Sequence, residues 1–172
     1  MKAEKVLVLD VDETLLSMEP LFYLERFVKN YKQAEGQIVQ FNGKGWKYSI
    51  SPRPRLREFL EHAKKSFRLA AFSVASKEAT VQKLQLMGVY NEFSRVYGQE
   101  DLADGKKDLR KVAEDFGVPL KSVIAIDDKP EAFAEAGNIV KVKSWTTGDS
   151  REYEFQSNSD NLFGAYAKAL KI

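Results

Sequence analysis

The chain has no cysteine among its 172 residues. That excludes a disulfide framework, a Cys nucleophile and a thiolate-ligated zinc or iron–sulfur site. It has one histidine, His62, so a His-rich metal site is excluded as well. His62 sits in Arg57-Glu58-Phe59-Leu60-Glu61-His62-Ala63-Lys64, a helical pattern with no partner motif, and reads as a surface or groove histidine. Charge of one sign is scarce too. Lys and Arg number 27 against 25 Asp and Glu, a net of +2, which by itself does not mark a nucleic-acid footprint. No apolar run approaches the ~20 residues that span a bilayer, so no membrane association is expected. The opening Met1-Lys2-Ala3-Glu4-Lys5 leads straight into a strand pattern and shows no signal peptide. The expectation is a cytoplasmic protein whose chemistry comes from carboxylates, hydroxyls and amines.

What is present suits a globular fold. Hydrophobic residues make up 44% and charged residues 30%, a balance that excludes a disordered chain. The length fits one domain over residues 1–172. Val6-Leu7-Val8-Leu9 is apolar throughout and reads as a strand buried on both faces. Pro20 then opens a helical stretch, with Leu21, Leu24, Phe27 and Val28 at helical spacing. Two β-rich runs, 38–41 and 46–50, flank Asn42-Gly43-Lys44-Gly45 and predict a hairpin. An insert over about 16–51 therefore separates the first strand from the first framework helix.

Beyond Pro52 and Pro54 the pattern becomes regular. Leu56, Phe59, Leu60 and Ala63 mark an amphipathic helix, and residues 68–72 a second buried strand. Ser76 caps a helix that turns Val81, Leu84 and Met87 inward and stops at Gly88. A short strand is expected over 95–97. Leu109, Val112, Ala113 and Phe116 form a helix ended by Gly117. Strands follow over 122–126 and 138–142, with a short helix from Pro130 between them. A polar segment over 146–158 precedes a terminal helix with Leu162, Phe163, Tyr166 and Leu170 on one side. Strands alternating with helices, several of them wholly apolar, predict a three-layer, Rossmann-like α/β fold with a mostly parallel central sheet.

In an open α/β sheet, ligands bind outside the carboxyl ends of the strands. The first strand delivers Asp10 and Asp12 there, the second Ser73, and the strand over 122–126 delivers Asp127 and Asp128. Lys106 and Lys107 lie at the start of a helix between them. Taken singly, each has an ordinary reading as a helix cap, a turn hydroxyl or a solvated charge. Their joint convergence on one edge does not. Carboxylates gathered in a cleft repel one another, by about 4 kcal/mol for a pair at 4 Å and an effective dielectric near 20. A hard divalent cation such as Mg2+ offsets that repulsion. A lysine and a serine hydroxyl then suit phosphate oxygens. Asp10 and Asp12, spaced i, i+2, lean the same way in extended backbone. One can attack phosphorus while the other exchanges a proton with the leaving and attacking oxygens.

These residues resemble the haloacid dehalogenase (HAD) superfamily of phosphotransferases. Its Asp-x-Asp-x-Thr motif stands here as Asp10-Val11-Asp12-Glu13-Thr14 directly after an apolar strand. Ser73 matches the second motif, Lys107 of Lys107-Asp108-Leu109 the third, and Asp127-Asp128 the fourth, in the family's order. Within the superfamily the chain is most similar to the compact FCP/SCP-type (NLI-interacting-factor-like) phosphatases. Arg53-Pro54 followed by Phe59-Leu60, the Phe72-Ser73-Val74-Ala75-Ser76 stretch, Asp127-Asp128-Lys129-Pro130 and Val142-Lys143-Ser144-Trp145 carry that closer likeness. That group carries its characteristic β insert later than the 16–51 insert seen here.

The resemblance implies a Mg2+-dependent phosphomonoester hydrolase working through an aspartyl-phosphate. Asp10 would be the nucleophile and Asp12 the general acid/base, offering its backbone carbonyl to the metal. Thr14 would orient the loop, and the phosphoryl group would be held by Thr14, Ser73, Val74 and Lys107, with Lys106 the alternative to Lys107. The metal would lie among Asp10, Asp12, Asp127 and Asp128, Asp128 aligning with the family's ligand. The substrate would be a phosphoprotein or another extended phosphomonoester, in whose binding Phe41, Trp46 and Tyr48 of the hairpin are candidates; packing against the sheet is their ordinary alternative. A nucleotide or nucleic-acid-end substrate is the other enzymatic reading, to which the Arg53, Arg55 and Arg57 cluster is compatible. A non-catalytic binding protein on the same fold is the third. A response-regulator receiver domain has similar groups in a different order, since here an acidic pair follows the lysine.

Overall fold

The structure, a computed structural model, describes residues 5–20, 37–40, 47–135, 137–146 and 162–172. Its strands are β1 (Val6–Leu9), β2 (Leu16–Pro20), β3 (Gln37–Gln40), β4 (Lys47–Pro52), β5 (Arg68–Phe72), β6 (Arg95–Tyr97), β7 (Val123–Asp127) and β8 (Ile139–Lys141). Its α-helices are α1 (Leu56–Ala63), α2 (Lys77–Leu86), α3 (Leu109–Phe116) and α4 (Leu162–Ala169).

Five strands form a sheet in the order β6-β5-β1-β7-β8, and every neighbouring pair is parallel. β1 lies at its centre, with Val8 opposite Ala70 on one side and Ala125 on the other. A central parallel strand has helices over both faces, which is why Val6 to Leu9 carry no polar residue and are fully buried. Alternate residues serve different layers. Val6, Val8, Ala70, Phe72, Val123 and Ala125 pack against Leu109, Val112, Ala113 and Phe116 of α3. Leu7, Leu9, Leu69, Ala71, Ile124 and Ile126 face Leu56, Phe59, Leu60 and Ala63 of α1, Leu84 of α2, and Leu162, Ala165 and Tyr166 of α4. Each fully buried Leu or Ile contributes roughly 1.5–3 kcal/mol through removal from water.

The helices begin and end where local chemistry directs. Ser76 Oγ accepts from the Ala79 N–H, and Asp108 accepts from the Arg110 N–H. Gly117 ends α3 with φ 66°, a left-handed conformation that a side chain at this position would disfavour.

The insert contains a second sheet, antiparallel, in the order β2-β4-β3. β3 and β4 are the two arms expected of the hairpin, with Ile38 opposite Ser49 and Gln40 opposite Lys47. Phe41, Trp46 and the Asn42-Gly43 turn lie outside the described residues. Pro20 does not open a helix. It is the last residue of β2, opposite Tyr48. β2 is an edge strand, where a missing N–H is tolerated, and its alternating Leu16 and Met18 pack on the core. The helical expectation over 21–28 also lies outside the described residues, as does 147–158 of the polar segment. Leu170 is corrected too: it is 46% exposed beyond the end of α4, whose buried stripe is Leu162, Ala165, Tyr166 and Ala169.

Candidate active site

The parallel sheet brings its polar residues to the carboxyl edge. Asp10 is the first residue past β1, and its N–H still donates to Ile126 C=O at 3.0 Å. Asp127 ends β7, and its C=O accepts from the Val142 N–H at 3.0 Å. Ser73 follows β5, its N–H donating to Tyr97 C=O at 3.2 Å. Each side chain is thus carried on backbone that the sheet fixes.

Lys107 lies at the centre. Its Nζ stands 2.6 Å from Asp10 Oδ1 and 2.6 Å from Asp127 Oδ2, and its side chain is 1% exposed. Backbone bonds set it there: the Lys107 N–H donates to Ala132 C=O, and its C=O accepts from the Ala134 N–H, both at 2.9 Å. Lys106 is exposed and pairs its backbone with Ala103. Of the two lysines, only Lys107 enters the cluster.

Thr14 is fully buried and ties the first loop to the last acidic pair. Its Oγ1 donates to Asp128 Oδ1 at 3.3 Å and accepts from the Asp128 N–H at 3.2 Å. Arg53 Nη1 donates to Thr14 C=O at 3.2 Å from the start of the segment leading into α1. Glu13 adopts φ 63° and binds the far rim: its carboxylate accepts from Ser144 Oγ at 2.8 Å and from Lys129 Nζ at 3.1 Å.

Carboxylate oxygens of Asp10, Asp127 and Asp128 all lie within 4.8 Å of one another. Both Asp127 oxygens are engaged, Oδ2 by Lys107 and Oδ1 by the Lys129 N–H at 2.7 Å. Asp128 Oδ2 is buried and has no hydrogen-bond donor. A buried carboxylate oxygen left in this state is costly. Two ammonium groups, Lys107 and, 3.8 Å from Asp128 Oδ2, Lys129, against three carboxylates still leave net negative charge. Both observations fit a hard divalent cation bound by Asp10 and Asp128, with the Asp127 oxygens already taken by Lys107 and the Lys129 N–H. Burial pushes the Asp10 carboxyl up to about 7; the neighbouring Asp127 adds to the rise and Lys107 opposes it. Burial likewise raises Asp127, against the pull of Lys107. For Lys107, burial acts against the charge, but Asp10 and Asp127 outweigh it and hold the ammonium above its ordinary value.

Asp12 stands apart. Its Oδ2 accepts from Ser73 Oγ at 3.0 Å and its Oδ1 from Lys83 Nζ at 2.5 Å. β1 stops at Leu9, so the period-two rule does not extend to Asp12, and its carboxylate is not among those that close to within 4.8 Å of one another. The Asp12 carboxylate is outside the three-carboxylate group. Val74 follows Ser73 on an exposed turn, its side chain 54% exposed.

Lys83 is the site-adjacent residue that motif reading missed. Its signal was available: Thr80, Lys83, Leu84 and Met87 form an i, i+3, i+4, i+7 stripe, and all are buried. A lysine in such a stripe requires a carboxylate partner. The three arginines do not form an anion-binding cluster. Arg53 is buried on Thr14, Arg55 pairs with Glu58 and stacks on the Phe163 ring at 4.6 Å, and Arg57 donates to Met87 and Gly88 carbonyls.

Comparison with known proteins identifies the family and the fold. The family model of the NLI interacting factor-like phosphatases matches residues 5–169. A fission yeast RNA polymerase II CTD phosphatase, Fcp1, solved as a variant bound to beryllium fluoride, superposes with a TM-score of 0.68 at 19% identity over 98% of this chain and 50% of that one. A second structure of Fcp1 gives 0.63 at 18% identity, over 99% and 54%. A haloacid dehalogenase-like hydrolase from Streptococcus pneumoniae gives 0.55 at 12% identity, over 91% and 92%. The chain spans about half the length of the Fcp1 chains it matches. No curated protein sequence matches it.

Proposed function

Since the chain belongs to the NLI interacting factor-like phosphatases, a group of HAD hydrolases, we propose that it cleaves phosphomonoesters through an aspartyl-phosphate on Asp10, with Mg2+ held by Asp10, Asp128 and the Asp12 carbonyl. The observation that carries this reading is the convergence of Asp10, Asp127, Asp128 and Lys107 at the carboxyl edge of the sheet, with Asp128 Oδ2 buried and undonated. We take residues 1–172 as one phosphatase unit carrying an insert over 16–51.

When bound, Mg2+ neutralises charge on the carboxylates and the transferring phosphoryl group. Lys107 Nζ and Ser73 Oγ, joined by N–H groups of the turn at Val74, bind phosphoryl oxygens and stabilise the charge that develops there. An Asp10 oxygen attacks phosphorus, the bond to the leaving oxygen breaks, and Asp12 delivers a proton to that oxygen. Asp12 then takes a proton from water as the water oxygen bonds to phosphorus. The bond to Asp10 breaks and inorganic phosphate leaves. Thr14 holds Asp128 in place through its two hydrogen bonds.

A phosphoprotein is the substrate class we favour. It rests on the likeness to Fcp1, a phosphatase of the RNA polymerase II CTD. The nucleic-acid-end reading loses its support because Arg53, Arg55 and Arg57 are engaged within the chain. Among the described residues no helix is long and apolar enough to cross a membrane.

Hydrolysis of p-nitrophenyl phosphate with Mg2+ and with chelator tests the chemistry. Turnover that needs the metal is the expected result. Equal turnover under chelation would refute the metal's role. A phosphopeptide screen then tests the substrate class.

A further inference from the structure

Lys83 lies outside all four motifs and yet meets the motif residue Asp12. Its side chain is 4% exposed, and its ammonium is 2.5 Å from Asp12 Oδ1. Placing an ammonium in the interior costs several kcal/mol unless a carboxylate meets it. Asp12 is 34% exposed, so the pair joins the interior to the cleft.

The hydrogen bonds around Ser73 set the order of events. Ser73 Oγ accepts from the Ala75 N–H at 3.0 Å and donates its single proton to Asp12 Oδ2 at 3.0 Å. A hydroxyl has one proton to give. When Ser73 donates to a phosphoryl oxygen, Asp12 Oδ2 loses its donor. Asp12 Oδ1 keeps Lys83.

Resting on the phosphatase chemistry set out above, we propose that Lys83 is a positioning residue for Asp12. It anchors the carboxylate through Oδ1, so that Oδ2 is the oxygen that exchanges protons with the reacting groups. In the first half-reaction, the proton passes from Asp12 Oδ2 to the leaving oxygen as its bond to phosphorus breaks. In the second, Oδ2 takes a proton from water as the water oxygen bonds to phosphorus. Lys83 touches neither substrate nor phosphorus. Loosened, Asp12 rotates among positions of which only some reach the leaving oxygen, a loss of orientation rather than of binding.

The test compares wild type, Lys83→Met and Lys83→Arg on p-nitrophenyl phosphate and phenyl phosphate with Mg2+. Phenolate is the poorer leaving group and depends more on the proton. Lys83→Met is expected to lower kcat on phenyl phosphate by about tenfold or more, and on p-nitrophenyl phosphate by less, with KM within about twofold on both. Lys83→Arg is expected to restore part of the loss. In an Asp12→Asn background, Lys83→Met should cost nothing further, because the two residues act as one unit. Unchanged kcat, equal loss on both substrates, or a loss that adds to that of Asp12→Asn would overturn the inference and leave the phosphatase reading intact. A wild type that turns over neither substrate would overturn both.

A crystal structure of the wild type with beryllium fluoride and Mg2+ tests the same point without variants. Ser73 Oγ on fluoride with Lys83 still on Asp12 Oδ1 is expected. Lys83 turned away from Asp12 would overturn the inference.

Discussion

Lys107 and Lys83 are both buried, and each meets one carboxylate of the Asp10-Val11-Asp12 run, but the charge around them differs. Lys107 faces Asp10 and Asp127, with Asp128 close by and one of its oxygens undonated. The group is short of positive charge, and burial, with Asp127 beside it, raises Asp10 to about 7 against the pull of Lys107. Lys83 faces Asp12, an ammonium against a carboxylate, with a serine hydroxyl on the second oxygen. In the proposed function, the first arrangement would be completed by a cation and a phosphoryl group. The second already has both its oxygens met and, as inferred for Lys83, would act by holding one carboxylate still. Both lie at the same sheet edge, so the difference comes from the elements that bring the lysines. The loop before α3 sets Lys107 between β1 and β7, and α2 sets Lys83 beside the turn after β5.

Substitutions can break that comparison at several depths. The largest effect is expected from Asp10→Asn, which removes the nucleophile. The kcat should fall by on the order of 10⁴-fold or more, with the circular dichroism spectrum unchanged. A rate near wild type would remove Asp10 from the mechanism. Next comes Lys107→Met, which leaves Asp10 and Asp127 buried without their ammonium. Unfolding in urea under chelation should show a loss of about 3–5 kcal/mol, the range for breaking a buried pair from one side. An unchanged midpoint would mean that the carboxylates find another partner.

A smaller effect is expected from pH. The raised Asp10 carboxyl favours the folded state in its protonated form. That contribution is fully present below the ordinary value of 3.8 and is lost as pH rises through about 7. In the proposed function, a cation would take over where the proton leaves. The rise in Tm caused by Mg2+ should therefore grow between pH 5 and 8. A constant rise across that range would contradict the link between Asp10 and the metal. The smallest effect sharpens the choice between adjacent lysines. Lys106→Ala, at an exposed position, should change stability by no more than about 0.5 kcal/mol and leave kcat unaltered. A large loss of rate would return Lys106 to the site.

The central sheet was legible because its signals are redundant. Val6 to Leu9 and Ile124 to Ile126 are wholly apolar, and α1 and α3 carry four-residue stripes at helical spacing, the second closed by Gly117. The acidic cluster was legible for the same reason, since carboxylates that directly follow buried strands converge at one edge. The insert was read less well. β2 is five residues long, and Pro20, a helix starter in isolation, ends an edge strand instead. The choice between Lys106 and Lys107 needed tertiary contacts, because backbone bonds to Ala132 and Ala134 decide which lysine turns inward. Lys83 was missed for a different reason. Its partner lies 71 positions away, and only folding brings α2 against the first loop.

The most direct test of the account is mass spectrometry of acid-quenched protein. Wild type, Asp12→Asn and Asp10→Asn would each be mixed with p-nitrophenyl phosphate and Mg2+. The account predicts a phosphoryl group on the peptide containing Asp10, more of it in Asp12→Asn, where the second half-reaction is slowed, and none in Asp10→Asn. A phosphoryl group elsewhere, or turnover by wild type with no phosphorylated peptide in either Asp10-containing protein, would contradict it.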